Sequence, residues 1–132
     1  MKKSFTLIEL LVVIAILAII ATIGTPLVTG FINGAKESTA KNSLHSIYMV
    51  ETDYQADNGD YYGTSGGDQT ALINQNLFNG KKTLDEQGSY KYYIQRNDSS
   101  SYKAYAIPKS TNSGLEKICV DHNDEIKVGS GC

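Results

Sequence analysis

From Phe5 to Val28 the chain reads FTLIELLVVIAILAIIATIGTPLV, and Glu9 is the only charged side chain between Phe5 and Ala35. A helix that is apolar on every side has no wet face and needs hydrophobic surroundings all round. At 1.5 Å per residue this stretch makes a helix of about 36 Å, enough to cross a hydrocarbon core of about 30 Å. Lys2 and Lys3 stand before it, and positive charge ahead of an apolar stretch holds that end on the cytoplasmic side.

The flanks decide what kind of apolar segment this is. A cleaved secretory signal needs a small-residue site of the Ala-x-Ala kind, and the run offers only poor ones such as Thr22-Ile23-Gly24. A lipoprotein anchor needs a cysteine at the end of the run, but the first cysteine is Cys119. A plain transmembrane anchor fits the length and leaves Glu9 without a reason, since an acidic side chain at mid-bilayer costs about 2.5 to 3.5 kcal/mol.

The residues Lys3-Ser4-Phe5-Thr6-Leu7-Ile8-Glu9, followed by the apolar tail, resemble the class III signal of type IV prepilins and type II secretion pseudopilins. The specific match covers the first quarter of the chain. The resemblance implies a dedicated membrane peptidase that cuts between Ser4 and Phe5 and methylates the new amino group of Phe5. The family usually carries Gly where this chain has Ser4, which is also small. Residues 1–4 are then a leader, residues 5–28 the apolar half of a long helix, and residues 29–132 its amphipathic half with a globular head.

The resemblance also gives Glu9 a role, because cleavage creates a cationic amino group on Phe5. A carboxylate in a medium of low dielectric is strongly attracted to such a group, and Glu9 would meet the amino group of a neighbouring subunit and set the axial register. Phe5 and Glu9 also share a helix face four residues apart, so the pair can close within one chain. Both arrangements fit the sequence.

Gly24 and Pro26 interrupt the apolar helix, at costs relative to Ala of about 1 and 3 kcal/mol. Proline removes one helical hydrogen bond and clashes with the preceding turn, so a kink or a melted stretch is expected there. A similarly placed proline in type IV pilins coincides with a segment that loosens in the filament, and the resemblance carries that expectation to Pro26. The alternative is that the interruption marks the end of the membrane span.

Beyond it, Ile32, Ala35, Thr39, Ala40, Leu44, Ile47, Tyr48 and Tyr54 recur at three- and four-residue steps, with Lys36, Glu37, Lys41 and Asp53 between them. That spacing predicts an amphipathic helix, ending near Ala56 because Asp57-Asn58-Gly59-Asp60 is a turn sequence. A short helix is expected from Asp68 over Ala71, Leu72, Ile73 and Leu77. Strands are predicted over residues 90–95, 102–107, 117–120 and 125–128, separated by turn-forming segments. Helix first and strands after indicates an α+β domain, an antiparallel meander packed on the second half of the helix, and this resembles the pilin fold.

Cys119 and Cys132 can close a terminal loop that chain-entropy models credit with about 3 kcal/mol once oxidised. An exported chain meets an oxidising compartment, and two unrelated thiols are the alternative. A stapled terminal loop is common in pilins, which the resemblance turns into a lean toward a pilus over a secretion pseudopilus.

The chain has 12 Lys plus Arg against 14 Asp plus Glu, and loss of Lys2 and Lys3 leaves a side-chain balance of −4. Phosphate neutralisation needs clustered positive charge, so general nucleic-acid binding is disfavoured, although Lys81, Lys82, Lys91, Arg96, Lys103 and Lys109 would form a local patch if strand pairing gathered them. His45 and His122 are the only histidines and no nucleophile motif accompanies them, so an enzyme is not indicated. Too few His or Cys ligands remain for zinc once the cysteines pair, and no cofactor is implied. Asp53, Asp57, Asn58 and Asp60 are hard oxygen donors, and some pseudopilins bind calcium in the head, but their spacing is not that of an EF-hand loop. Tyr90, Tyr92 and Tyr102 read as ordinary strand residues.

The resemblance therefore implies a structural subunit of a type IV pilus, used in adhesion, twitching motility or DNA uptake. A type II secretion pseudopilin and a minor subunit that binds DNA or a surface through residues 57–89 are the alternatives. The implied partners are identical or related subunits, the prepilin peptidase and the inner-membrane assembly machinery. The implied location is the bacterial inner membrane before assembly and the extracellular filament after it.

Overall fold

The computed structural model describes residues 4–132, the side chains of residues 25 and 26 excepted. The basic leader residues Lys2 and Lys3 therefore lie outside the described residues. The chain is α+β. In order it forms α1 (Leu7–Asn58), α2 (Thr70–Leu77), β1 (Tyr90–Asp98), β2 (Ser101–Pro108), β3 (Ile118–Asp121), β4 (Ile126–Val128) and a closing 3-10 turn, Gly129–Gly131. It divides into two compact units, Met1–Gly34 and Ala35–Cys132.

In the first unit, straight-chain and branched aliphatic residues carry α1 with their side chains exposed on all sides, Ile14 at 58% and Ile20 at 61%. The Thr22 hydroxyl donates to the Ile19 carbonyl at 2.8 Å, which satisfies a polar group without water. The helical backbone continues through residues 24–26, across the positions of Gly24 and Pro26. An interior proline removes a single hydrogen bond from the ladder and its fixed φ is compatible with a helix, so the penalty need not end the helix.

In the second unit, α1 buries a narrow stripe. Ala40, Leu44 and Ile47 are enclosed, Tyr48 and Tyr54 are half-buried, and Ala35 and Thr39 are exposed, as is Ile32 in the first unit. The core thus begins at Ala40, later than the sequence periodicity indicated. The helix ends at Asn58 where Gly59 takes φ +81 and donates its N–H to the Gln55 carbonyl at 2.8 Å. A glycine in the left-handed region is a common helix stop because it has no Cβ to clash.

The sheet is an antiparallel meander in the order β1-β2-β3-β4. Its inner face supplies Tyr90, Tyr92 and Ile94 from β1, Tyr102, Ala104 and Ala106 from β2, and Ile118 and Val120 from β3. These join Ala40, Leu44, Ile47, Ile73 and Leu84 in one cluster. Fully burying a Leu or Ile side chain contributes about 1.5 to 3 kcal/mol.

The outer edge of β1 is sealed by the preceding loop. Thr64 donates its N–H to the Ile94 carbonyl at 2.8 Å while its hydroxyl accepts from the Ile94 N–H at 2.9 Å. Gln69 donates to the Tyr92 carbonyl at 2.9 Å, and the Thr70 hydroxyl accepts from the Tyr92 N–H at 3.1 Å. An open strand edge invites pairing with other chains, and two threonines close this one.

Candidate assembly site

Ser4 and Phe5 precede the helix in exposed, non-helical backbone, with Phe5 79% exposed. The bond between them is therefore accessible in the isolated chain. The helix begins with a reciprocal cap: the Thr6 N–H donates to Glu9 Oε2 at 3.2 Å, and the Glu9 N–H donates to Thr6 Oγ1 at 3.3 Å. This is the capping-box arrangement, in which an N-cap hydroxyl and an acidic side chain three residues on satisfy each other's backbone donors. The carboxylate also sits at the positive end of the helix dipole.

Glu9 thus has a local partner that sequence reading missed. The signal was present as Thr6-x-x-Glu9 ahead of an apolar run, but Thr6 was read only as part of the leader motif. From Leu7 to Ile23 every side chain of the apolar face is exposed. A continuous exposed apolar surface of this extent marks a contact with lipid or with other protein, and α1 is long and apolar enough to cross a membrane.

The cysteines form a disulfide, Cys119–Cys132, with Cα atoms 5.8 Å apart and a separation of 13 positions in sequence. Cys119 is buried on β3. The return path is built by Gly129, at φ +64, whose N–H donates to the Lys117 carbonyl at 2.7 Å. The disulfide anchors the closing turn to the sheet.

The other groups singled out by sequence stand apart. Asp60 pairs with Arg96 at 3.8 Å, and Asn58 donates its amide to the Tyr54 carbonyl at 3.0 Å. Among the described residues no three His, Cys, Asp or Glu side chains converge as a metal site would require. His45 Nδ1 lies 3.2 Å from Asp124 Oδ1. Lys109 donates to the Glu86 carbonyl at 2.7 Å and Lys82 faces Glu86 at 3.8 Å. Lys91 and Lys103 alternate with buried residues along β1 and β2 and so lie on the outer sheet face.

One buried carboxyl was not foreseen. Glu51 continues the Leu44 and Ile47 stripe and is fully enclosed. Its Oε1 accepts the Tyr62 N–H at 3.1 Å, whereas Oε2 and the buried Tyr102 hydroxyl have no hydrogen-bond partner among the described residues. Burial pushes the Glu51 carboxyl up to about 8, against the smaller opposing effects of the Tyr62 N–H and the Arg96 charge. Burial also pushes the Tyr102 phenol up, helped by the Glu51 charge. The sequence signal was spacing alone, since position 51 falls four residues after Ile47 on the same stripe.

Residues 1–25 match the family model for the prokaryotic N-terminal methylation motif. The segment is a class III signal of the type IV pilin and pseudopilin kind, a motif of structural subunits. No curated protein matches the chain.

Proposed function

We propose that the chain is a structural subunit of a type IV pilus, cleaved between Ser4 and Phe5, methylated on Phe5 and polymerised through its N-terminal helix. One observation carries this reading. The methylation motif runs directly into a helix whose apolar side chains are exposed all round, so the segment that is processed is also the segment that needs a partner. Lipid serves before assembly, and the helices of neighbouring subunits serve after it. In the filament Glu9 meets the methylated amino group of the next Phe5, and Gly24 and Pro26 permit loosening on departure from the membrane.

The disulfide-closed terminal loop supports a pilus over a type II secretion pseudopilus. The test is mass spectrometry of filaments sheared from cells. A dominant chain beginning at methyl-Phe5 is expected. The processed chain confined to the membrane fraction and missing from sheared material would instead favour a pseudopilin or a scarce minor subunit.

A further inference from the structure

Glu51 is fully enclosed and carries a single hydrogen bond, from the Tyr62 N–H to Oε1 at 3.1 Å. Its Oε2 and the Tyr102 hydroxyl are buried without partners among the described residues. A neutral carboxyl tolerates such a setting far better than an ionised one, which must be paired or reached by water. Loss of the Glu51 proton therefore works against whatever covers it.

The covers differ in how firmly they are held. α1 runs unbroken past Glu51, and β1 and β2 are paired from Tyr90 opposite Pro108 to Asp98 opposite Ser101. Tyr62 belongs instead to a short flap, Asp60-Tyr61-Tyr62, set between two glycines. Gly59 before it takes φ +81, and beyond Gly63 the chain is fixed again where Thr64 exchanges two hydrogen bonds with Ile94. The ties of the flap itself are weak. Arg96 Nη1 donates to the Tyr61 carbonyl at 3.3 Å, and Asp60 faces Arg96 at 3.8 Å, an exposed pair of the kind that contributes little. Tyr61 packs on Tyr102 with ring centres 4.7 Å apart, Tyr62 meets Tyr54 edge to face at 5.7 Å, and the Tyr62 hydroxyl accepts from the Asn76 amide at 2.9 Å. Tyr54, Tyr61, Tyr62 and Arg96 border an open groove, so the flap meets solvent there.

The surrounding charges do not compensate an ionised Glu51. Arg96 on β1 favours the anion, but burial outweighs it, and Arg96 is shared with Asp60. Tyr62 in the flap and Tyr102 on β2 carry phenols that burial pushes up. Tyr48 on α1, Tyr61 in the flap and Asp124 between β3 and β4 act on Tyr102, and Tyr54 on α1 acts on Tyr62. Asp124 is paired with His45 at 3.2 Å, and histidine changes charge near neutral pH, so His45 needs its own control.

We propose that Glu51 is a proton-operated latch on this flap: Asp60-Tyr61-Tyr62 lies down over the neutral carboxyl, and loss of the proton lifts it and admits water to the carboxylate. The closed form holds the carboxyl up to about 8 against an ordinary 4.5. Closure is therefore at full strength below about pH 4.5 and weakens as pH rises to about 8. All the residues involved lie in the Ala35–Cys132 unit, so the latch stands or falls separately from the filament reading.

The test is amide hydrogen exchange by NMR on the full chain in detergent micelles. With intrinsic exchange divided out, the Tyr62 amide is expected to lose protection by about tenfold per unit from pH 5 to pH 8. A low concentration of urea speeds exchange only where opening exposes much surface. It is expected to leave the Tyr62 amide unchanged and to speed the amides of β3. Glu51→Gln keeps an oxygen for the Tyr62 N–H and is expected to hold its protection constant with pH, while His45→Gln keeps the natural decline. The proposal is overturned if Tyr62 protection in the natural chain does not change with pH, if Glu51→Gln retains the decline or if His45→Gln abolishes it. It is also overturned if Tyr62 and β3 respond alike to urea, which would make the opening global.

Discussion

Glu9 and Thr6 make one helix cap between them, which separates two tasks that a single substitution would confuse. Glutamine can replace glutamate in a capping box but carries no charge. Glu9→Gln should therefore keep the helix start and still fail to polymerise, as Glu9→Val should, with both chains recovered in the membrane fraction. Thr6→Ala, which loses the cap at a cost of about 0.5 to 2 kcal/mol, should still form filaments. Normal filaments from Glu9→Gln, seen by electron microscopy, would show that capping and not charge is what assembly needs.

Glu51 is the second carboxyl with an unusual setting, and its effect falls on stability. Its pKa lies near 8 in the folded chain against an ordinary value of 4.5, so between those values the folded state keeps a proton that the unfolded state has released. The stability this provides is whole below about pH 4.5 and is lost as pH rises to about 8, with a limiting slope of about 1.4 kcal/mol per pH unit. Thermal unfolding followed by circular dichroism should give a melting temperature that falls from pH 5 to pH 8. Glu51→Gln should flatten that decline, and an unchanged decline in the variant would assign it to other groups.

At the scale of elements, the sheet ends in its weakest strand. β4 has three residues, Ile126–Val128, and Ile126 is 38% exposed, so little burial holds it. The Cys119–Cys132 disulfide supplies what burial does not. Cys132→Ser should lower the free energy of unfolding by about 3 kcal/mol on the loop-entropy model, read as a shift in the denaturant midpoint. Reductant should reproduce the shift in the natural chain and have no effect on the variant. The opposite edge of the sheet needs no such staple, because Thr64 and Thr70 already occupy the backbone groups of β1.

Across the whole molecule, the hydrophobic cluster draws all its members from residues 40–128, while the exposed large apolar side chains concentrate from Phe5 to Ile32. A chain beginning at Ala35 should accordingly be soluble without detergent, unfold cooperatively and stay out of the membrane fraction. Aggregation or non-cooperative melting of that fragment would mean that the first unit contributes to the stability of the second.

The amino-acid order alone determined the features that rest on neighbours in sequence. These include the methylation motif over residues 1–25, the apolar helix within and after it, the turn at Gly59 and the strands with their hairpin order, because periodicity and turn chemistry are local. The span from Tyr90 to Val128 was legible for the same reason, with strand ends misplaced by one to three residues. The tertiary structure alone decided that the core starts at Ala40, that Thr64 and Thr70 seal the edge of β1, and that Glu51 is buried. It also gathered Tyr54, Tyr61, Tyr62 and Arg96 into one groove. Burial and long-range pairing depend on what another part of the chain covers, and a residue's own neighbours in sequence carry no record of that.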